Sequence, residues 1–256
     1  MTTTRRAPPL LIAWRGATAV APAHTIPAYE AAIAMGADAL GLEVHVSADD
    51  QLVVIGNPRL ERITDGRGAV REHTARELKR LDAGGWFGRR FRGQRLQTLS
   101  EVLERFRERV GFAVVLPGGS TLFPGIEERL LTLLQIYAVG ERTLIASVDH
   151  HALRKCHDLD PETPTVALVA GRVLAPAALA PPGVLRGVGM PAGLATAADV
   201  AAARDAGLDC YVGVVDEPAI ARELAAWGVA GIATEHPDRL RPVLMSVPSP
   251  LGGDPS

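Results

Sequence analysis

Few side chains capable of acid–base or metal chemistry stand at a recognisable spacing in this sequence. Glu43 and His45 lie two residues apart in an apolar run, so on a β-strand they share a face with Gly41. A histidine titrates near neutral pH and a carboxylate binds hard cations, so such side chains could serve as acid, base or ligand. The candidates for a convergent acid–base pair are Glu43, His45, His24, Asp149 and Glu235.

Other polar motifs favour structural roles over chemical ones. His24 precedes a predicted helix, and a solvated loop histidine is favoured there over a replacement acid or base. His150 and His151 follow Asp149, but adjacent strand-end residues point in opposite directions, so a helix cap facing solvent is favoured over a metal cluster. The glycine-rich stretch 117–121 is interpreted as a plain loop, because a lone motif of this kind is weak evidence for a phosphate site.

The elements that would position these residues alternate along the chain. Apolar runs predict strands at residues 10–14, 39–46, 112–116, 144–147, 165–169, 187–189, 210–215 and 231–233. Helical patterns lie between them, among others at residues 26–35, 99–109, 126–137, 197–206 and 219–227. Eight strands alternating with helices predict an α/β protein with a closed (β/α)8 TIM barrel. An open, doubly wound sheet is the alternative, since alternation alone does not exclude it.

Two decorations interrupt the alternation early in the chain. The apolar run 52–55 follows the second strand after a gap too short for a crossover helix, which predicts a β-hairpin excursion. Residues 59–97 are charged and punctuated by glycine, which predicts a small insertion or cap with one helix near residues 74–81. The barrel is therefore predicted to be a single domain over residues 10–241, with flexible tails at 1–9 and 245–256.

Composition narrows the class of protein. A chain of 256 residues suits one barrel, and a formal net charge of -2 gives no reason to expect nucleic acid as a partner. Only two cysteines occur, which favours a reducing cytoplasm over a disulfide-bonded scaffold. No apolar run is long enough for a membrane-spanning helix, and the N-terminus is not interpreted as a signal peptide.

Several ordered motifs carry a resemblance to a known family. Residues 12–17 (IAWRGA) and 21–25 (APAHT) are similar to I-A-H-R-G-A and A-P-E-N-T, and residues 36–45 (GADALGLEVH) to G-A-D-x-I-E-L-D-V-H. Residues 53–58 (VVIGNP) are similar to V-V-I-H-D-P. Further matches lie at residues 81–87, 95–99 and 228–238. Together these motifs resemble the glycerophosphodiester phosphodiesterase family, which implies a TIM barrel and metal-assisted cleavage of a phosphodiester.

The same resemblance implies that most of the family's site has been replaced. The two family histidines fall on Trp14 and Gly56, neither of which exchanges a proton near neutral pH. The family's metal ligands fall on Ala23, Gly41, Glu43 and Val115. Only Glu43 keeps a carboxylate, one methylene longer than the family's aspartate. The family's phosphate-binding lysine falls on Pro117, while its phosphate-contacting arginine is kept as Arg15.

These losses predict a pseudoenzyme without metal-dependent phosphodiester hydrolysis, retained to bind an unidentified small-molecule ligand or protein partner. The alternative is a phosphoric diester hydrolase, or a related enzyme of lipid metabolism, with a remodelled, metal-independent site. The family would use Mg²⁺ or Ca²⁺, but one carboxylate predicts weak or absent binding, so no cofactor is expected. The predicted ligand-pocket residues are Trp14, Arg15, His24, Glu43, His45 and Glu235.

The geometry expected of this site is specific. The replaced positions should line one mouth of the barrel, at the C-terminal ends of the strands. A partly buried Glu43 needs a positive partner once no cation is bound, and Arg15 is the nearest candidate because it ends the preceding strand. We therefore predict an Arg15–Glu43 ion pair where the family holds its metal. Trp14 is expected either to stack on a ligand or to plug the mouth.

Overall fold

Eight parallel strands close into a barrel in the computed structural model, which describes residues 8–246. The ring consists of β1 (Leu10–Trp14), β2 (Ala39–Val46), β5 (Gly111–Leu116), β6 (Thr143–Ser147), β7 (Thr165–Leu168), β8 (Gly187–Pro191), β9 (Asp209–Gly213) and β10 (Gly231–Thr234). Pairing of β1 with both β2 and β10 closes the ring, so the open sheet is excluded. The (β/α)8 TIM barrel predicted from the alternation is confirmed.

The hairpin excursion is present beside the ring. Strand β3 (Leu52–Val54) runs antiparallel to the end of β2, and β4 (Gln97–Thr98) pairs in turn with β3. Between β3 and β4 the insertion packs around its own apolar cluster, which includes Leu60, Val70 and Leu78. Arg90 of the insertion donates a hydrogen bond to the carbonyl of Val20 in the loop after β1, so the insertion contacts the barrel at the end where β1 terminates.

Apart from the short helix Ala75–Leu78, which lies in the insertion, the helices surround the ring. Their bounds are α1 (Ile26–Ala34), α2 (Ala75–Leu78), α3 (Leu99–Phe106), α4 (Ile126–Ile136), α5 (His150–Leu159), α6 (Ala197–Asp205), α7 (Pro218–Trp227) and α8 (Pro237–Ser246). Strict alternation fails once, because β7 and β8 are joined by a segment with only a 3-10 turn at Pro176–Ala178. That segment is rich in proline, which lacks the N–H that a helix interior needs.

The described residues include only the inner ends of the two predicted tails. Met245 and Ser246 belong to α8, so the expectation of a flexible tail beginning at residue 245 is wrong at its first two positions. Leu244, immediately before them, is buried in the core, and this contact carries the helix to that point. The remainder of both predicted tails, residues 1–7 and 247–256, lies outside the described residues.

Apolar packing is concentrated between the ring and its helices. Two large clusters of buried side chains fill this layer, one around Tyr29, Phe106 and Phe112 and the other around Leu11 and Leu224. Inside the ring the cluster is small, and its members are Ile12, Ala39, Ala113, Leu144, Tyr211 and Ala233. The outer layer therefore stabilises the fold, while alanines leave room inside the upper barrel.

Candidate functional site

The positions that the resemblance assigns to the family's histidines, metal ligands and phosphate-binding lysine lie toward one mouth of the barrel. Trp14 ends β1, Gly41 and Glu43 lie on β2, and Val115 lies near the end of β5. Gly56 follows β3, and its neighbour Ile55 donates a backbone hydrogen bond to the carbonyl of Glu43 at 2.9 Å. The remaining two, Ala23 and Pro117, lie in the loops after β1 and β5. Positions widely separated in sequence thus lie at the C-terminal ends of the strands.

Arg15 and Glu43 form the predicted ion pair. Arg15 Nε lies 2.5 Å from Glu43 Oε2, and Arg15 Nη2 lies 3.4 Å from Oε1, so both carboxylate oxygens face the guanidinium. The side chains are 35% and 20% exposed, respectively. Partial burial weakens solvent screening, so this pair is stronger than an ordinary surface ion pair. The arginine occupies the carboxylate that the resemblance assigns to a metal.

His24 completes the cluster at the same carboxylate oxygen of Glu43 that Arg15 Nε contacts. Its Nε2 lies 3.3 Å from Glu43 Oε2, and its Nδ1 lies 3.1 Å from the hydroxyl of Tyr29. The residue is 1% exposed, so the expectation of a solvated loop histidine is wrong. The loop between β1 and α1 folds inward, and Tyr29 in the first turns of the helix reaches back beneath the imidazole. Sequence reasoning missed Tyr29, whose only signal was its position five residues after His24.

The backbone that presents these side chains is strained. Arg15 and His24 both adopt left-handed conformations, with φ angles of 61° and 59°. For a residue with a Cβ atom, the left-handed conformation is about 1–2 kcal/mol less favourable than the right-handed one. The two strained residues are joined by a hydrogen bond from the amide of His24 to the carbonyl of Arg15. Their side chains meet on Glu43, so side-chain pairing and backbone pairing hold the same loop in place.

Burial and hydrogen bonding set the charges of the cluster. Burial lowers the pKa of His24, and this effect outweighs the contact with Glu43 that would raise it. Burial would raise the pKa of Glu43, but hydrogen bonds and charge from His24 and Arg15 lower it overall. Burial also raises the pKa of Tyr29 well above its ordinary value, so its hydroxyl remains a donor. The cluster therefore holds a carboxylate, a guanidinium and a neutral imidazole, with no net charge.

We expect acid to destabilise the fold through His24. A histidine whose pKa is lower in the folded state than its ordinary value of 6.5 takes up a proton on unfolding, so stability falls as the pH drops below 6.5. One such group contributes a slope of at most about 1.4 kcal/mol per pH unit. Urea unfolding at about pH 7.5 and about pH 5.5 measures this effect. Between these two pH values, the free energy of unfolding should fall less in the His24→Gln protein than in the parent protein.

The control for this pH dependence is His151→Gln, which changes an exposed histidine on α5. It should keep the parent slope. Burial also lowers the pKa of His45, so part of the acid sensitivity remains in the His24→Gln protein. Equal slopes for the parent and His24→Gln proteins would show that the buried imidazole does not determine the acid response.

Neighbouring side chains now fill the space of the replaced family residues. A Cβ atom added to Gly56 would lie 2.6 Å from Glu43 Oε2 and 3.3 Å from His24 Nε2. A Cβ atom added to Gly41 would lie 2.9 Å from Cε3 of Trp14. All three distances are below ordinary van der Waals contact. Gly41 is therefore sterically matched to Trp14, and Gly56 is matched to Glu43 and His24. Trp14 packs across the space that a ligand side chain at position 41 would need.

The residues present do not fit the divalent cation that the resemblance implies. Ca²⁺ and Mg²⁺ need six or more oxygen ligands, several of them usually carboxylates or waters. Glu43 is bound by a guanidinium and an imidazole, and the other three ligand positions carry Ala23, Gly41 and Val115, which offer no side-chain donor. Within residues 8–246, no group of three His, Cys, Asp or Glu side chains is placed to hold a metal ion.

Among the described side chains, the remaining candidates make no hydrogen bond with Arg15, His24 or Glu43. His45 lies on β2 opposite Val53 of β3 and is partly buried, two residues beyond Glu43. Glu235 follows β10, and its main-chain N–H donates to Asp216 at 2.9 Å. Asp149 caps α5, accepting hydrogen bonds from the amides of His151 and Ala152. The candidate acid–base pair that the structure does bring together is thus His24 with Glu43.

The glycine-rich stretch 117–121 is a loop whose amides face carboxylates. The amide of Gly119 donates to Asp149 at 2.8 Å, and the amide of Ser120 donates to Glu127 at 2.9 Å. Because both donors already have anionic partners within the protein, they are not free to cradle a phosphate. His150 bonds the carbonyl of Leu168 through Nε2 and so takes a structural role as well.

Comparison with known proteins agrees with this fold and with the motifs. The profile of the glycerophosphoryl diester phosphodiesterase family matches residues 15–239. A glycerophosphodiester phosphodiesterase of Bacillus subtilis is 33% identical over 247 residues, covering 90% of this chain and 84% of its own. A crystal structure of such an enzyme from Agrobacterium tumefaciens superposes with a TM-score of 0.80 at 28% identity, covering 91% of this chain and 98% of that one.

A second solved structure reinforces the assignment of the fold. A phosphodiesterase from Oleispira antarctica, in complex with the product sn-glycerol-3-phosphate, has a TM-score of 0.87 at 23% identity. The superposition covers 93% of this chain and 98% of the Oleispira antarctica chain. At this identity the likeness bears on the fold alone. With the profile match and the Bacillus subtilis relative, it follows that this chain belongs to the glycerophosphoryl diester phosphodiesterase family.

Proposed function

We propose that this family member is a pseudoenzyme, which does not hydrolyse phosphodiesters with a divalent cation and is retained for binding a ligand or partner. The observation that carries the proposal is the engagement of Glu43. The one carboxylate left at the family's metal positions is held by Arg15 at 2.5 Å and by His24 at 3.3 Å. A cation would have to displace a positively charged partner from it.

Acid–base catalysis lacks its groups as well. A positioned acid or base contributes roughly 10²–10⁴-fold each, and the two histidine positions of the family carry Trp14 and Gly56. An indole does not exchange protons near neutral pH, and glycine has no side chain. Loss of both groups and of the cation removes most of the rate enhancement even when the separate effects are not additive.

The second candidate is a phosphoric diester hydrolase of lipid metabolism with a remodelled, metal-independent site. The contact between His24 and Glu43 is the observation that favours it, since an imidazole and a carboxylate can form an acid–base pair. Both nitrogens of His24 are already engaged, however, and the residue is buried. A substrate proton has no open nitrogen to reach, so binding is the better-supported role.

An assay for release of glycerol 3-phosphate from several glycerophosphodiesters tests the proposal. With Mg²⁺ or Ca²⁺ supplied, we expect a rate at least about 10⁴-fold below that of the Bacillus subtilis relative, which serves as the positive control. Metal-dependent release that disappears in Glu43→Gln would contradict the proposal. Release that persists in a chelator and disappears in Glu43→Gln would instead support the metal-independent hydrolase.

A restored variant tests whether the scaffold still supports the chemistry. It combines Trp14→His, Ala23→Glu, Gly41→Glu and Gly56→His, four of the five positions at which the resemblance assigns a replaced acid, base or ligand. The structure adds Glu43→Asp to this set, because a side chain at Gly56 collides with the longer carboxylate. Appearance of metal-dependent turnover only in this variant would attribute the lost activity to these positions rather than to the fold.

The cysteines and the net charge bear on the cellular location and the class of partner that we propose. Cys156 and Cys210 are free and buried, and free thiols suit a reducing cytoplasm. Within the described residues, no helix has the length and apolar character to cross a membrane. The net charge of -2 gives no basic surface for nucleic acid, which leaves a small molecule or a protein as the bound partner.

A further inference from the structure

A deep apolar cavity opens at the same mouth of the barrel, beside the Arg15–Glu43–His24 cluster. It has a volume of about 330 Å³ and is lined by residues of seven ring strands, including Trp14, Val115, Ala146 and Gly189. None of its lining residues is charged. Two of them, Trp14 and Val115, stand where the resemblance puts a catalytic histidine and a metal ligand. The cavity therefore occupies space that a charged site would need.

Small inward-facing residues account for this cavity. Ala113, Ala146, Gly189, Gly213 and Ala233 line it, and they leave the upper barrel unfilled where bulkier branched residues ordinarily interdigitate. The neighbouring glycines cannot be enlarged to close it without collision, since a Cβ atom on Gly189 would meet Leu168 at 2.7 Å. The empty volume is thus built into the strands rather than left by one missing side chain.

The cavity is deep and closed at its base. Its lining runs from Leu144 on β6 to Val148 just after that strand, four residue steps of about 3.3 Å, or about 13 Å along the chain. The ring of Tyr211 crosses the lower end, because Cβ atoms added to Gly187 and Gly231 would each lie 2.8 Å from its carbons. A ligand must therefore enter from the mouth and extend along the barrel axis.

The entrance is apolar as well. Val148 and Val214 line the cavity and are still 64% and 42% exposed. On the side of β1, Trp14 separates the cavity from the polar cluster, with its ring centroid 5.6 Å from the guanidinium carbon of Arg15. Exposed apolar side chains around an apolar cavity mark a binding site for an apolar group.

We propose that this cavity binds the unbranched hydrocarbon chain of a single-chain amphiphile, whose polar end remains at the mouth. The inference rests on the proposed binding role and names its ligand class. An uncharged lining excludes a buried phosphate or carboxylate, because an unpaired ion taken out of water costs several kcal/mol. A cavity of about 330 Å³ whose lining extends about 13 Å along one strand and the residue after it suits an extended chain. The neighbouring cluster has no net charge, so it provides no selection for an anionic head.

Calorimetric titration with four compounds tests the ligand class. Decanol, decanoate and a monodecanoyl phospholipid carry the same chain on a neutral, an anionic and a zwitterionic head, and they should bind within about tenfold of one another. Glycerol 3-phosphate carries no chain and should not bind. Binding of the phospholipid or of glycerol 3-phosphate alone would overturn the proposal, since recognition would then depend on the phosphate.

Shape is tested separately with 1-adamantanol, which has as many carbon atoms as decanol in a compact cage. We expect it to bind at least about tenfold more weakly, because a cage cannot extend down the cavity. Equal affinity would show that the cavity takes any apolar group of this size. That outcome would refute the unbranched chain as the occupant.

Two variants and one control locate the site. Ala146→Phe places a ring midway along the cavity and should weaken decanol binding at least about tenfold. Val148→Asn changes an exposed residue at the entrance, so it preserves the fold while removing apolar contact, and it should weaken binding less. Ala202→Phe adds the same ring on the exposed face of α6 and should leave binding unchanged.

The outcomes separate this inference from the proposed function. Unchanged decanol affinity in both cavity variants would overturn the assignment of the chain to this cavity. Urea unfolding of each variant shows whether it is folded, and Val148→Asn decides the question if Ala146→Phe is not. Neither result bears on the expected absence of phosphodiester hydrolysis, which is measured through glycerol 3-phosphate release.

Discussion

Replacing Glu43 with alanine is expected to lower the free energy of unfolding by about 2 kcal/mol, a value between those of buried and exposed ion pairs. Removing one partner of a buried pair costs roughly 3–5 kcal/mol, whereas an exposed pair contributes about 0–1 kcal/mol. Glu43 is 20% exposed and Arg15 is 35% exposed, so this pair lies between the two cases. The substitution also leaves the buried Nε2 of His24 without its acceptor.

Urea unfolding at neutral pH measures this effect, and Glu43→Gln provides the graded comparison. Glutamine keeps an acceptor oxygen and nearly the same shape, so its cost should be smaller than that of alanine. Asp158→Ala is the matched control, because Arg154 and Asp158 form an exposed pair one turn apart on α5. That control should change stability by less than about 0.5 kcal/mol. A Glu43→Ala protein as stable as the control would remove the ion pair from any structural role.

A second large effect is expected from the contact between Gly41 and Trp14. Gly41→Ala should destabilise the protein by about 1–3 kcal/mol, the usual cost of forcing an extra carbon into a packed site. Its Cβ atom would lie 2.9 Å from Cε3 of Trp14 and 3.3 Å from the carbonyl oxygen of Ala13. The indole is held at the barrel mouth by the cavity wall on one side and Gly41 on the other.

The test is a double-mutant cycle with Trp14→Ala. Once the ring is gone, Gly41→Ala should destabilise the protein less, because only the backbone contacts remain, with the Cα atom of position 14 at 3.2 Å and the carbonyl oxygen of Ala13 at 3.3 Å. Gly171→Ala is the control, because a Cβ atom there meets nothing within 4 Å. Its effect should be the same in both backgrounds. Additive effects of Gly41→Ala and Trp14→Ala would mean that the two positions are not sterically matched.

Much of the site could be predicted because it lies on regular strands. A strand places alternate residues on one face, and parallel strands in a barrel end at one mouth, so the positions of Trp14, Gly41 and Val115 follow from motif and period. The Arg15–Glu43 pair was predictable for the same reason, together with the need of a partly buried carboxylate for a positive partner.

Loop conformation was not predictable in the same way. His24 precedes α1 in a segment without periodicity, and its left-handed backbone turns the imidazole inward to Glu43 and Tyr29. A left-handed conformation is disfavoured for histidine when only neighbouring residues are considered. It is stable here because contacts with residues five and nineteen positions away hold it, and no local pattern encodes them.

The sequence by itself determined the family and the barrel fold that its motifs imply, together with the hairpin beside the second strand. These properties depend on residue type, period and motif order, which are local. Only the tertiary structure decided that Gly56 and Gly41 lie against Glu43 and Trp14, and that small residues on separate strands share one cavity. Empty volume and close contact depend on side chains from several strands meeting in space, and chain order does not specify how those side chains pack.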